Sequence, residues 1–512
     1  MTDPLDALRR QAKTLHKHYE SGDRAAIARV DAVGPRKSGP LKRADFLHVI
    51  ARENSFASWP QMKIAVETQG MDRAAKQQRL KIAIFHGQIQ VVQQLMWDTP
   101  DLADGNFGLQ VAMFDLEAVR ATLAADPAAA TRAYGPRRPI LHLAFSKMLQ
   151  AWPEREADML AIAKLLLSHG ADVNDGFPHE PGSDHKLSAL YGAIGHAGNI
   201  ALGRWLLEHG ADPNDNESLY HATELGHHEG LKLLLAHGAA PKGTNALLRA
   251  MDFHDVGAVR MLLDAGADPN EFAANEVGGE APWVVPALFQ AARRHARPEM
   301  IELLLDAGAD PARRWRGASA YAAACVFGND VLRRRLEELG PMPALSEAEQ
   351  VLADCVRGHV EPGRYLEMDK VPPAFGQVLR EVLWLPGRQA HVEALIAVGV
   401  PWDAPDTEGL TPVQVAGWEG LPEMVAYFLK LGPDLSHVNG FGGTLLSTII
   451  HGSENCPDRA ERDYLTCLKL VLEHGVALPK RAAELAGEPE VADFLADWAV
   501  AHPGQVVEHG VV

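Results

Sequence analysis

At 512 residues, 47% of them hydrophobic and 23% charged, the chain is long enough for several compact domains or one extended repeat array. Lys and Arg number 49 against 67 Asp and Glu, a formal charge of −18. That balance argues against nucleic acid, whose binding rests on Lys and Arg displacing counterions, and fits either a basic protein partner or plain colloidal solubility.

The first segment, Met1–Asp6, is acidic and has no apolar stretch after a basic start, so no signal peptide is expected. No apolar run approaches the length of a membrane span. Leu5, Leu8, Ala12, Leu15 and Tyr19, spaced by three and four, predict one helix face, and Phe46, Val49 and Ile50 predict another. Ser58 is placed to cap a helix beginning at Trp59-Pro60. Residues 1–70 follow no repeat and read as a helical leader covering the apolar face of what comes next. Ile82–Pro100 and Val111–Pro127 then predict helix pairs, each ended by proline.

From there one phrase recurs: an aliphatic helix end, then Gly-Ala-Asp, then Pro-Asn or a near relative. It stands at Leu165–Asn174, Leu206–Asn214, Leu262–Asn270 and Leu304–Pro311, with weaker copies around Gly238, Gly340, Gly399, Gly432 and Gly475. Leucines at this spacing make one apolar helix face, the glycine closes the helix in the left-handed region, and proline stops continuation. The Asp forms the turn. Each unit opens with a second short helix, as at Leu141–Ala144, Ser188–Ala193 and Thr411–Ala416, where Ser or Thr caps the first turn.

Gly399 and Gly432 are 33 residues apart, whereas Gly210, Gly238 and Gly266 follow at 28, too short for a full hairpin finger. Longer spacings place insertions at about Gly176–Lys186, Phe272–Pro282 and His451–Arg462. The gap from Gly340 to Gly399 predicts a degraded repeat between residues 345 and 373. About a dozen units are expected over residues 77–480, then capping helices over 481–502 and a flexible tail over 503–512.

With Thr411-Pro412-Val413-Gln414-Val415-Ala416 as its opening and Leu-Leu-x-x-Gly-Ala-Asp as its close, the unit resembles the ankyrin repeat. His142 stands at the family's histidine, with Tyr191 and Tyr220 at its equivalents. The resemblance implies an all-α solenoid of stacked helix pairs that binds a partner protein through its finger tips and inner-helix face. The segment around Phe56-Ala57-Ser58-Trp59-Pro60 resembles the helical leader ahead of many bacterial ankyrin arrays.

No catalytic constellation is visible: Gly-x-Ser-x-Gly and His-Glu-x-x-His are both missing. Gly440–Thr444 reads as a finger turn instead of a phosphate loop, since no Lys-Ser/Thr follows. His227-His228-Glu229 and His16-Lys17-His18 lack the ligand set of a zinc site. Cys325, Cys355, Cys456 and Cys467 form no close pair, so no disulfide framework is expected and a reducing compartment fits. The expectation is therefore a cytoplasmic, monomeric interaction scaffold with no cofactor, no metal, and neither a nucleic-acid nor a membrane partner. The rival is an effector or immunity protein that modifies or neutralises a target. Partner contacts are expected at Arg313, Arg314, Trp315 and Arg316 on one finger, at Trp402 and Trp418, and at Trp283 in an insertion, because Trp and Arg dominate interface energetics. Trp315 could instead fold back over the stack.

Overall fold

The computed structural model describes residues 4–33, 41, 43–179, 182–271, 285–358, 360–361, 363–383, 385, 387–456 and 459–508. The chain divides into two compact units, the first running to Arg249 and the second beginning at Ala250. The expected insertion at Phe272–Pro282 lies outside the described residues.

In the first unit, the leader forms α1 (Pro4–Glu20), α2 (Arg24–Val33), α3 (Arg43–Glu53) and α4 (Trp59–Thr68). The three-and-four spacing of Ala12 and Leu15 places both on the face of α1 that meets α3, and with Phe46, Ile50 and Met62 they form a buried core. Ser58 accepts the Gln61 backbone N–H and so caps α4, which lies against α6. Helix pairs follow: α5 (Arg73–His86) with α6 (Ile89–Asp98), α7 (Phe107–Ala112) with α8 (Leu116–Ala125), and α9 (Pro139–Ala144) with α10 (Glu156–Ser168). Next come α11 (Ala189–Tyr191), prolonged by a π turn over Gly192–His196, with α12 (Ile200–Glu208), and α13 (Ser218–Ala222) with α14 (Glu229–Ala236). The first helices of successive pairs stack on one another, α7 on α9 and α9 on α11, while the second helices form their own row through α8, α10, α12 and α14. The insertion at Gly176–Lys186 makes a finger, with β1 (Gly176–Pro178) antiparallel to β2 (Lys186–Ser188).

α15 (Ala246–Asp252) contains the division between the units. The second unit continues through α16 (Val256–Asp264), α17 (Ala287–Arg293), α18 (Pro298–Asp306), α19 (Ala320–Phe327) and α20 (Asp330–Leu339). The degraded repeat supplies one helix, α21 (Glu347–Cys355), held at its start by a reciprocal Ser346–Glu349 capping box, and then an irregular segment with two 3₁₀ turns. Regular pairs resume with α22 (Val378–Leu383) and α23 (Gln389–Ala397), α24 (Pro412–Trp418) and α25 (Pro422–Leu431), α26 (Leu445–Asn455) and α27 (Tyr464–Glu473). The chain closes with α28 (Ala482–Leu485) and α29 (Pro489–Ala501), which packs on α27.

The tail expected beyond residue 502 is docked as far as Glu508, a correction to the sequence reading. Val506–Val507 pairs in parallel with Leu478–Pro479, and Gln505 Nε2 donates to the carbonyls of Leu472 and Val476 at 2.7 and 2.6 Å. These bonds tie the tail to the last turn of α27 and to the residues just beyond it.

The recurring phrase does two jobs. Its Asp accepts the backbone N–H two residues on, as Asp172, Asp212, Asp268 and Asp310 all do. Its Asn joins neighbouring units: Asn174 donates to the Gly210 carbonyl and accepts the Asp212 N–H, and Asn270 does the same to Gly308 and Asp310. Gly210, Gly266 and Gly308 have φ of +94°, +90° and +85°. A Cβ at Gly266 would meet no atom within 4 Å, so a side chain there is opposed by backbone strain alone. Gly266→Val is expected to lower stability by about 1–2 kcal/mol in denaturant unfolding, and an unchanged midpoint would count against this closure.

His391 on α23 is 1% exposed, and neither of its ring nitrogens has a hydrogen-bond partner. Burial, reinforced by Arg388, pushes it down to about 3 from an ordinary 6.5. The unfolded chain therefore takes up the proton first, so this group's contribution is constant above pH 6.5 and turns against folding as pH falls from 6.5 towards 3. His391→Leu should raise stability by about 1 kcal/mol at pH 7.5, and its advantage over the parent should widen between pH 6.5 and 4 in urea titrations. A pH-independent difference would contradict this reading.

Candidate functional site

The finger expected to meet a partner is β3 (Arg314–Trp315) paired with β4 (Ala318–Ser319) across a two-residue turn at Arg316-Gly317. Both turn residues have positive φ, +43° and +87°, the type I′ geometry that matches strand twist. Arg313, Arg314 and Arg316 are exposed. Trp315 is not: it is 6% exposed, with its ring centroid 4.9 Å from that of Phe289 and the Arg316 guanidinium 5.0 Å from its own ring. Of the two readings the sequence offers for it, a partner contact or a ring folded back over the stack, the second matches: strand alternation turns it inward, where Phe289 of α17 receives it.

The inner-helix face beneath this finger is already taken by the protein itself. Phe375, from the irregular segment after α21, is fully buried, with its ring 6.1 Å from Phe289 and 5.9 Å from Phe327. The Ala374 N–H donates to the Arg316 carbonyl at 3.2 Å. Arg293 of α17 donates to Glu381 of α22 at 2.8 Å, both side chains 6% exposed, and to Gln290. Trp402 lies half-exposed between α23 and α24. Trp418 ends α24, also half-exposed, its ring 5.2 Å from His451 and its carbonyl accepting from the Tyr464 hydroxyl. Trp283 lies outside the described residues. Trp315→Ala is expected to destabilise the protein by about 3–5 kcal/mol in denaturant unfolding, the cost of emptying a buried aromatic site. A loss near zero would restore it as a surface residue.

In the first unit the first helices of successive pairs border a cleft. This cleft, of about 290 Å³, is lined by residues of α5, α7 and α9 and by the loop leading into α9. In that loop Gly135, at φ +79°, and Pro136 form the tip of a narrow turn closed by the Tyr134 N–H donating to the Arg137 carbonyl at 2.8 Å. The turn aims Arg137 at three aromatic rings, with its guanidinium carbon 4.5 Å from Phe85, 4.8 Å from Phe145 and 4.4 Å from Phe177. Its Nε is buried with no hydrogen-bond acceptor, and burial pushes the guanidinium down to about 10. The next residue contrasts with it: Arg138 pairs with Asp175 at 2.7 Å. His142 donates its Nε2–H to the Tyr134 carbonyl, and His196 does the same to the Phe85 carbonyl. Burial holds both histidines near 4, with nearby cations pushing the same way. Ile82 is 40% exposed at the rim. Sequence reasoning passed over this site because its residues come from three separate repeats; the one local signal was a Gly-Pro turn followed at once by two arginines.

Among the described residues no group of three or more His, Cys, Asp or Glu could hold a metal ion, and no helix is long and apolar enough to cross a membrane. Gly440–Gly443 is a finger turn, with Asn439 accepting from the Phe441 and Gly443 N–H groups.

Stacked antiparallel helix pairs with short fingers define a helical repeat solenoid. Residues 190–273 match the family model for ankyrin repeats in three copies, and the chain is accordingly one that carries ankyrin repeats. Among solved structures it is similar to the human ASB11 ankyrin repeat domain at 23% identity and a TM-score of 0.34, over 47% of this chain and all of that one. No curated protein matches. Ankyrin repeats are in general protein–protein interaction modules.

Proposed function

We propose that the protein is a non-enzymatic, monomeric scaffold of the cytoplasm that binds another protein on the inner-helix face of its first unit. The observation that carries this reading is the cleft beside Arg137: an unpaired cation and an exposed isoleucine share a concavity that packing leaves empty. Hot spots combine such features, a desolvated polar anchor beside apolar area. The stretch of the second unit at α17 and α19 is a poorer candidate, since Phe375 and Glu381 pack against it. Arg313, Arg314, Arg316, Trp402 and Trp418 are proposed as secondary contacts at the rim of the second unit.

The test is affinity capture with the full chain, followed by calorimetric titration of the captured protein. A saturable complex that Ile82→Glu weakens by about tenfold or more, with the melting temperature unchanged, is the expected outcome. A captured protein that binds the parent and Ile82→Glu equally would place the interface elsewhere.

A further inference from the structure

A guanidinium among aromatic rings is half satisfied. Cation–π attraction acts on the faces of the group, whereas its N–H donors lie in its plane and require acceptors. Arg137 has rings close by on Phe85, Phe145 and Phe177, yet its Nε meets no acceptor and no carboxylate pairs with it. Leaving a buried donor unpaired costs stability, and leaving a partly buried cation without a counter-ion costs more.

The surroundings compound this. No Asp or Glu is among the residues that line the cleft, although the chain carries 67 of them. Lys81 and His86 stand on the α5 side, and His142 on the α9 side. Beyond the lining, Lys147 and His196 lie close enough that Lys147, Arg137 and His86 all bear on His196. Lys147 is itself pushed down by burial. An acidic protein has thus gathered Arg137, Lys81 and Lys147 around one concavity whose lining holds no carboxylate.

Resting on the scaffold reading above, we infer that this cleft takes a carboxylate side chain from an extended acidic segment of the partner protein, with the carboxylate on Arg137 and an adjoining apolar side chain against Ile82 and Leu109. An ionised carboxylate supplies the counter-ion that the guanidinium lacks, and Arg is the cation whose planar donors match it. The apolar lining suits a peptide better than a free ion. A volume of about 290 Å³ holds one or two side chains and is small for a nucleotide. The overall charge of −18 opposes a long polyanion such as nucleic acid. The acidic class differs from the basic partner that net charge alone suggests, because the sign at the cleft is the reverse of the sign of the chain.

The experiment uses the full chain and two octapeptide libraries, one with a central Glu and one with Gln in its place, all other positions being randomised in both. The Glu library should be retained at least about tenfold better, and Arg137→Gln should abolish that preference. Lys81→Gln, at the rim, should reduce it by a smaller factor, which keeps the test valid if Arg137→Gln melts early. Equal retention of both libraries, or a Glu preference untouched by Arg137→Gln and Lys81→Gln, would overturn the acidic assignment. The scaffold reading would survive that result, because its own test is the Ile82→Glu titration. Competition by inorganic phosphate at low millimolar concentration with no Glu preference would move the site to a phosphate ligand and equally overturn it.

Discussion

Everything in this protein follows from one constraint: a pair of short helices has an apolar face that it cannot bury by itself. Helices such as α7 or α13, with six and five residues, have no independent stability in water, where marginal helicity needs a dozen residues or more. They persist because each lies between neighbours. The side chains that make this possible are small where helices touch. Gly452 on α26 is the clearest case, since a Cβ there would lie 2.3 Å from the Trp418 carbonyl oxygen on α24. The asparagines of the repeating phrase add a second, polar row of links from unit to unit, set by geometry that the apolar stack has already fixed.

What the sequence could tell depended on whether a feature was local. The glycine closures, the Asp turns and the Ser58 cap each rest on residues within a few positions, and each has the expected geometry. The degraded repeat was legible as a gap in glycine spacing. Its consequence was not: Phe375 lies nearly fifty residues from Phe327, and only the folded chain shows that one packs on the other. The choice between the two readings of Trp315 was closed to the sequence for a related reason. Its exposure turned on which strand face it takes and on Phe289, far upstream, being there to receive it. The docking of Val506–Val507 on Leu478–Pro479 is likewise a long-range pairing with no local signature.

The two units put the same architecture to different ends. In the second, the inner-helix face serves as internal packing, through an aromatic cluster and the Arg293–Glu381 pair. A buried ion pair of this kind is costly to break and weakly stabilising to have, which suits a role in fixing one arrangement of the segment. In the first unit, the corresponding face carries a cation without a partner. Arg137 is held by rings from three different repeats, so its position is as rigid as the stack. Preorganisation of that sort reduces the entropy lost on binding.

The central claim, that the first unit and not the second presents the interface, is most directly tested by amide hydrogen exchange of the full chain with and without its captured protein. The account predicts slowed exchange over Lys81–His86 and Tyr134–His142, with Arg313–Ser319 unchanged. Protection confined to the Arg313–Ser319 finger and the segment around Phe375 would contradict it.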